Sequence, residues 1–273
     1  MPRLGFRKPE YIERLSMQIN ITHERNEDGP DSGPVKVGWF LSDTDAPVIY
    51  DAPTRVRGPE MNRKHAKSAS RCPAVINLES RYFQVNCPFD LHLGFDRDDK
   101  GKPVLRNLLG DNTPVRRNKL NALLTVTNES EWRYPDRPTI QIMLPYILIS
   151  DEPVYMAQVP PFFHYNPEPW PGTLFGGRFP IDVWPRPLMW AFEWHDVKKP
   201  LRLKRGEPMF YCHFEVTPQD RPVQMVEAER TPELDAYVKH ISGAVNYVNQ
   251  TFSLFKAAQD RRPEKLLVPR EKG

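Results

Sequence analysis

Residues 188–216, LMWAFEWHDVKKPLRLKRGEPMFYCHFEV, decide the fold class. Three short runs alternate apolar and polar side chains: Leu188–Asp196, Leu201–Lys204 and Met209–Val216. Lys198–Pro200 and Arg205–Pro208 interrupt them as proline-bearing turns. Period-2 alternation in segments this short marks strands, and their close succession predicts a mainly β domain, a β-sandwich or jelly roll. In the first run Trp190, Phe192 and Trp194 share one face, and Met189, Ala191, Glu193 and His195 share the other. In the third, Phe210, Cys212 and Phe214 oppose Tyr211, His213 and Glu215.

Upstream, Val35–Leu41, Ala74–Leu78, Tyr82–Val85 and Leu91–Phe95 read as further strands, and Asp96–Lys100 as a hairpin tip. A short helix is expected around Lys119–Thr127. Thr139–Ile149, TIQIMLPYILI, is the most apolar stretch; its β-branched character and Pro145 predict a buried strand carrying a bulge. Residues 1–34 read as an irregular arm and 35–218 as the β domain.

Downstream, Thr231 and Pro232 form a helix start. Leu234, Val238, Ile241, Val245, Val248, Phe252 and Phe255 follow at spacings of four and three. That heptad seam predicts one long C-terminal helix over 231–258, ahead of a charged, fraying tail at 259–273. The seam needs a partner, either the protein's own sheet or a second copy in a homo-oligomer. Gly243 weakens the helix in isolation.

Composition excludes several classes. The chain has 273 residues, with 38 Lys+Arg against 35 Asp+Glu, a balance too even to argue nucleic-acid binding. No apolar run reaches the roughly 18 residues of a membrane helix, and the N-terminus lacks a secretory apolar stretch, so a cytoplasmic location is expected. Cys72, Cys87 and Cys212 are too few and scattered for a disulfide framework or a zinc cluster. No GxGxxG, P-loop or GxSxG motif is present.

Two constellations point to chemistry. If the apolar faces of the first and third runs coincide, Glu193, His195, His213 and Glu215 lie on one side of the sheet, with His164 as a third imidazole. Histidines plus a carboxylate are the ingredients of a mononuclear non-haem Fe(II) site of the oxygenase type. The same face also reads as a solvated, charge-paired surface. Residues 159–187 hold eight prolines and seven aromatics. Proline there forbids helix or central strand, so an ordered extended loop is expected. It is either a packed cover or an aromatic-walled ligand pocket built from Phe162, Phe163, Trp170, Phe175, Arg178 and Trp184. A small-molecule-binding protein and a non-catalytic, helix-associated assembly protein are the two functional expectations.

The motifs Ile142-Met143-Leu144-Pro145-Tyr146, Trp184 with Trp190 and Trp194, and Lys204-Arg205-Gly206-Glu207-Pro208-Met209 carry a likeness. With Cys72-Pro73 and Cys87-Pro88-Phe89, they resemble an uncharacterised bacterial and phage family, a domain of unknown function, over about half the chain. The resemblance implies a phage or bacterial auxiliary protein and supplies no mechanism.

Overall fold

The computed structural model describes residues 33–42, 48–57, 71–244 and 251–271. Among them the chain first forms β1 (Val35–Leu41), β2 (Thr54–Arg55), α1 (Pro73–Glu79), β3 (Tyr82–Asn86), β4 (Leu91–Arg97) and β5 (Pro103–Asn107). Next come α2 (Arg117–Leu123), β6 (Leu124–Val126), β7 (Thr139–Ile149), β8 (Tyr155–Val159), β9 (Gly172–Phe175) and β10 (Arg178–Pro180). The last are β11 (Pro187–Trp194), β12 (Leu201–Leu203), β13 (Pro208–Glu215), β14 (Val223–Glu227), α3 (Pro232–Ala244) and α4 (Thr251–Gln259). Residues 1–32 of the expected arm lie outside the described residues.

The protein is mainly β, in three sheets. The first has the order β14-β1-β7-β11-β9, with β6 also on β7; the second runs β10-β8-β13-β3-β2; the third runs β12-β4-β5. β1 and β14 pair in parallel, and the remaining pairings are antiparallel. A jelly roll has eight strands in two antiparallel sheets, so this topology corrects that expectation. The three runs of residues 188–216 are not neighbours either: β11 enters the first sheet, β12 the third and β13 the second. The turn after β11 folds onto its own side chain, because the Trp194 indole donates to the carbonyls of Asp196 (3.0 Å) and Lys199 (3.1 Å). The next turn is claimed by β3's exit: Gly206 N donates to Cys87 O, and Cys87 N to Glu207 O, both at 2.9 Å.

β7 is the axis of the first sheet. Ile140 and Ile142 pair with β6 on one side, and further along that side Tyr146–Ile149 pair with β1. Between Met189↔Met143 and Pro187↔Ile147 the register against β11 shifts, so the bulge falls at Pro145 as expected. Pro145 still accepts from Ser42 N (2.8 Å), and its missing donor costs nothing at the change of partner.

The first and second sheets share one apolar core. Val37, Ile142, Leu144, Trp190, Phe192 and Trp194 face Phe83, Val85, Met156, Phe210, Cys212 and Phe214. Each large apolar side chain buried there is worth about 1.5–3 kcal/mol of transfer free energy. The indole of Trp190 also donates to Met209 O across the layer, at 3.3 Å.

Two expected elements are corrected. Ala74–Leu78 lies within helix α1, not a strand: Pro73 sits at the first helical position, and Ile76 is exposed. The single long C-terminal helix is replaced by two short ones. Thr231 Oγ1 caps α3 as read, accepting from Leu234 N (3.2 Å). Tyr237 Oη then donates to Ala258 O at 3.1 Å. In one continuous helix those residues would stand about 30 Å apart, so the chain has turned back on itself. The pair covers the outer face of the first sheet, where Leu234, Ile241, Val238 and Phe255 pack with Phe40, Ile147, Ile149 and Trp184. Val245 and Val248 lie outside the described residues, as does the side chain of Phe252. The tail is held within its described residues: Leu266 and Leu267 are buried, and their N–H groups donate to Asp151 Oδ1 at 2.6 and 3.0 Å.

Candidate functional site

The expected iron constellation is pulled apart by the sheet assignment. Glu193 and His195 stand on the outer face of the first sheet, and His213 and Glu215 on the outer face of the second. Sheet layers lie about 10 Å apart, and these side chains point away from each other, whereas metal ligands sit about 2 Å from a shared ion. Among the described residues no group of three or more His, Cys, Asp or Glu gathers to hold a metal. Glu193 is instead a buried carboxylate bracketed by His195 Nε2 at 3.2 Å and Arg137 at 3.7 Å. His213 stacks on Tyr82, with centroids 4.4 Å apart. Burial holds its imidazole below the ordinary value; Arg81 adds to this and Glu215 opposes it. His164 meets Glu207 at 3.9 Å.

Residues 159–187 form a loop containing β9 and β10, and they disperse the six expected ligand-binding residues. Trp184 is core, edge-on to Phe255 at 5.8 Å. Arg178 grips Glu215 through Nε and Nη2 at 2.9 and 2.7 Å, with its guanidinium over the Tyr155 ring. Trp170 packs edge-on against Trp190 (5.6 Å), and Phe175 is exposed on β9. Phe162 and Phe163 are half exposed; Phe162 rests on Tyr211 (5.1 Å) and Tyr82 (5.5 Å). The loop encloses a shallow groove of about 320 Å³, lined by Pro160, His164, Tyr165 and Trp170 among others. Its aromatics can stack on a flat ring, but few polar groups converge there.

A larger cavity of about 1020 Å³ lies between the third sheet and the edge of the first. Its apolar lining comes from Leu93 on β4, Leu105 on β5, Leu120 on α2, and Leu124 and Val126 on β6, with Val115 from the intervening loop. Its polar lining comes from Arg106, Asn107, Asp111, Thr113, Arg116 and Asn121. Three ends of structure meet there. The β4–β5 hairpin turns at Gly101 (φ 75°), where Asp98 Oδ1 accepts from Lys100 N and Lys102 N at 2.9 and 2.8 Å. β5 then carries Arg106, which is ion-paired with Asp96. α2 and β6 line the cavity's other side through Leu120, Leu124 and Val126. Among the described residues Arg116 has no ion pair, and the Thr113 hydroxyl is buried without a hydrogen-bond partner. No motif spans residues 93–126, so sequence reasoning passed over this cleft. The signal available was its run of short elements without a clear apolar period.

Two of the three thiols are disfavoured as nucleophiles. Burial pushes Cys87 up to about 12 and Cys212 further still. No described helix is long and apolar enough to cross a membrane. Compared with family models, curated proteins and solved structures, the chain matches none of them.

Proposed function

We propose that this protein binds a small molecule in the cleft between β5, α2 and β6. The observation that carries the reading is the cavity itself: about 1020 Å³, with an apolar interior and a few charged and amide groups. Cavities of this size and mixed lining are the usual form of ligand sites. Arg116, with no ion pair among the described residues, suits an acidic or strongly polar end, and Leu105, Leu120 and Val126 suit an apolar body. The iron-dependent version of the reading has no geometric support, because its ligands belong to different sheets.

The test uses anilinonaphthalene sulfonate, which has an apolar body and an anionic end. Fluorescence titration of the full chain is expected to saturate at one site. Asn121→Trp, which fills the mouth from an exposed position, should weaken binding at least tenfold while leaving the circular dichroism spectrum unchanged. A titration that fails to saturate, or one that Asn121→Trp leaves unaltered, overturns the proposal.

A further inference from the structure

Arg81 carries two buried donors that neither the fold nor the cleft accounts for. It is 8% exposed, and its Nε and Nη2 are both buried with no hydrogen-bond partner. A buried guanidinium normally has its donors paired, because an uncompensated one is strongly destabilising. Nε and Nη2 form the side-on fork of arginine, the edge that takes two oxygens of one oxoanion. Arg178 shows that use in this same protein, holding both oxygens of Glu215 through Nε and Nη2.

The surroundings are basic. Arg81 immediately precedes β3, and its carbonyl accepts from Phe214 N at 3.1 Å. The β2–β3 register pairs Arg55 with Phe83, and Val56 N donates to Tyr82 O at 2.9 Å; continued one step, it sets Arg57 opposite Arg81. Strand alternation then puts Arg55, Arg57, Arg81 and Phe83 on one face. Arg55 Nη2 donates to Val223 O (2.6 Å), and Val223 N donates to Ser80 O (3.1 Å). Edge strand β2 of the second sheet and edge strand β14 of the first therefore meet here. Arg221, two residues before Val223, spends its charge on Glu152. Glu79 faces Arg55.

We propose that Arg81 is the anchor of an oxoanion site, for a phosphate or a carboxylate, at the edge where β2 and β14 meet. Arg55 and Arg57 supply the surrounding positive potential, and Arg81 supplies the two-pronged contact. This site is distinct from the cleft between β5, α2 and β6, and it stands or falls independently of ligand binding there.

The test measures thermal stability of the full chain against inorganic phosphate, phenyl phosphate and acetate, with sodium chloride at matched ionic strength as reference. Saturable stabilisation by at least one oxoanion beyond chloride is expected. Arg81→Lys, which keeps the charge and removes the fork, should weaken the apparent affinity about tenfold, and Arg97→Lys should leave it unchanged. Tighter binding of phenyl phosphate than of phosphate assigns the head of an organic ligand; equal binding assigns the free anion. His213 gives a second readout that needs no variant at Arg81. Because Arg81 helps hold that imidazole low and Glu215 opposes it, an anion on Arg81 should raise its NMR titration midpoint. Absence of stabilisation beyond chloride, unchanged affinity in Arg81→Lys, or an unmoved His213 midpoint at saturating anion overturns the site.

Discussion

At Gly176 the space that a missing side chain leaves is taken by the protein's own backbone. A Cβ at Gly176 would run into the Gln158 carbonyl oxygen, whereas one at Gly177 would meet nothing within 4 Å. The two positions lie between β9 and β10, where β10 pairs with β8. Gly176→Ala is expected to destabilise the protein by about 1–3 kcal/mol, the usual cost of forcing atoms into packed structure. Gly177→Ala should be neutral or slightly stabilising through the unfolded chain. Urea denaturation of both variants checks this, and equal midpoints would refute it. The same lesson holds at Glu193, where alternation read correctly which face the carboxylate occupies but could not show Arg137 and His195 covering it. Face is a property of the backbone repeat; burial depends on what arrives from elsewhere in the chain.

At the scale of elements, the helical hairpin is fastened by one phenol. Tyr237 Oη lies 2.8 Å from Val183 O and 3.1 Å from Ala258 O, joining α3 to α4 and to the chain just before β11. Tyr237→Phe removes the hydroxyl beside Val183 O, while Ala258 O keeps the Arg261 N–H at 3.1 Å, so a loss of about 1 kcal/mol is expected. Hydrogen exchange should accelerate in α4 more than in β7; uniform acceleration would refute the fastening. Strand identities were largely legible: β1, β3, β4, β7, β11, β12 and β13 fall within one or two residues of the sequence reading. Period-2 patterning is local, and local signals suffice for such segments. Partnership was not legible. The step from three successive strands to one sheet failed because Pro200 and Pro208 lack donors and the two turns bond to Trp194 and to Cys87, which patterning does not encode. The heptad seam likewise identified Leu234 and Ile241 on the buried face of α3 but not the reversal after it, since a seam facing a sheet and a seam facing another helix share one spacing. The cleft was invisible for a related reason: it is made by what short elements fail to fill.

For the whole molecule, acid should be destabilising well above the carboxylate range. His213 is held low by burial first, with Arg81 adding to the effect and Glu215 opposing it. His92 is held low by burial first, then by Arg202, with Glu168 opposing. The unfolded chain therefore binds more protons than the native protein just below the ordinary histidine value of about 6.5. By linkage, stability rises with pH through that region and falls as pH drops from about 7 toward 5. The variant carrying His92→Gln and His213→Gln should show a flatter dependence across that window by urea denaturation, whatever its absolute stability. An unchanged slope would refute the assignment.

The parallel pairing of β1 with β14 has a consequence for how the protein is made. Arg221 is bonded to Gly33, 188 residues earlier, beside the point where the two strands begin to pair. At ribosomal rates of about 5–20 residues per second, one edge of β1 waits roughly 10–40 s for its neighbour to be synthesised. During that wait the nascent chain presents a bare ladder carrying Val35, Val37 and Phe40 to the crowded exit of the translation machinery. Nascent-chain chaperones would meet that edge before its neighbour does.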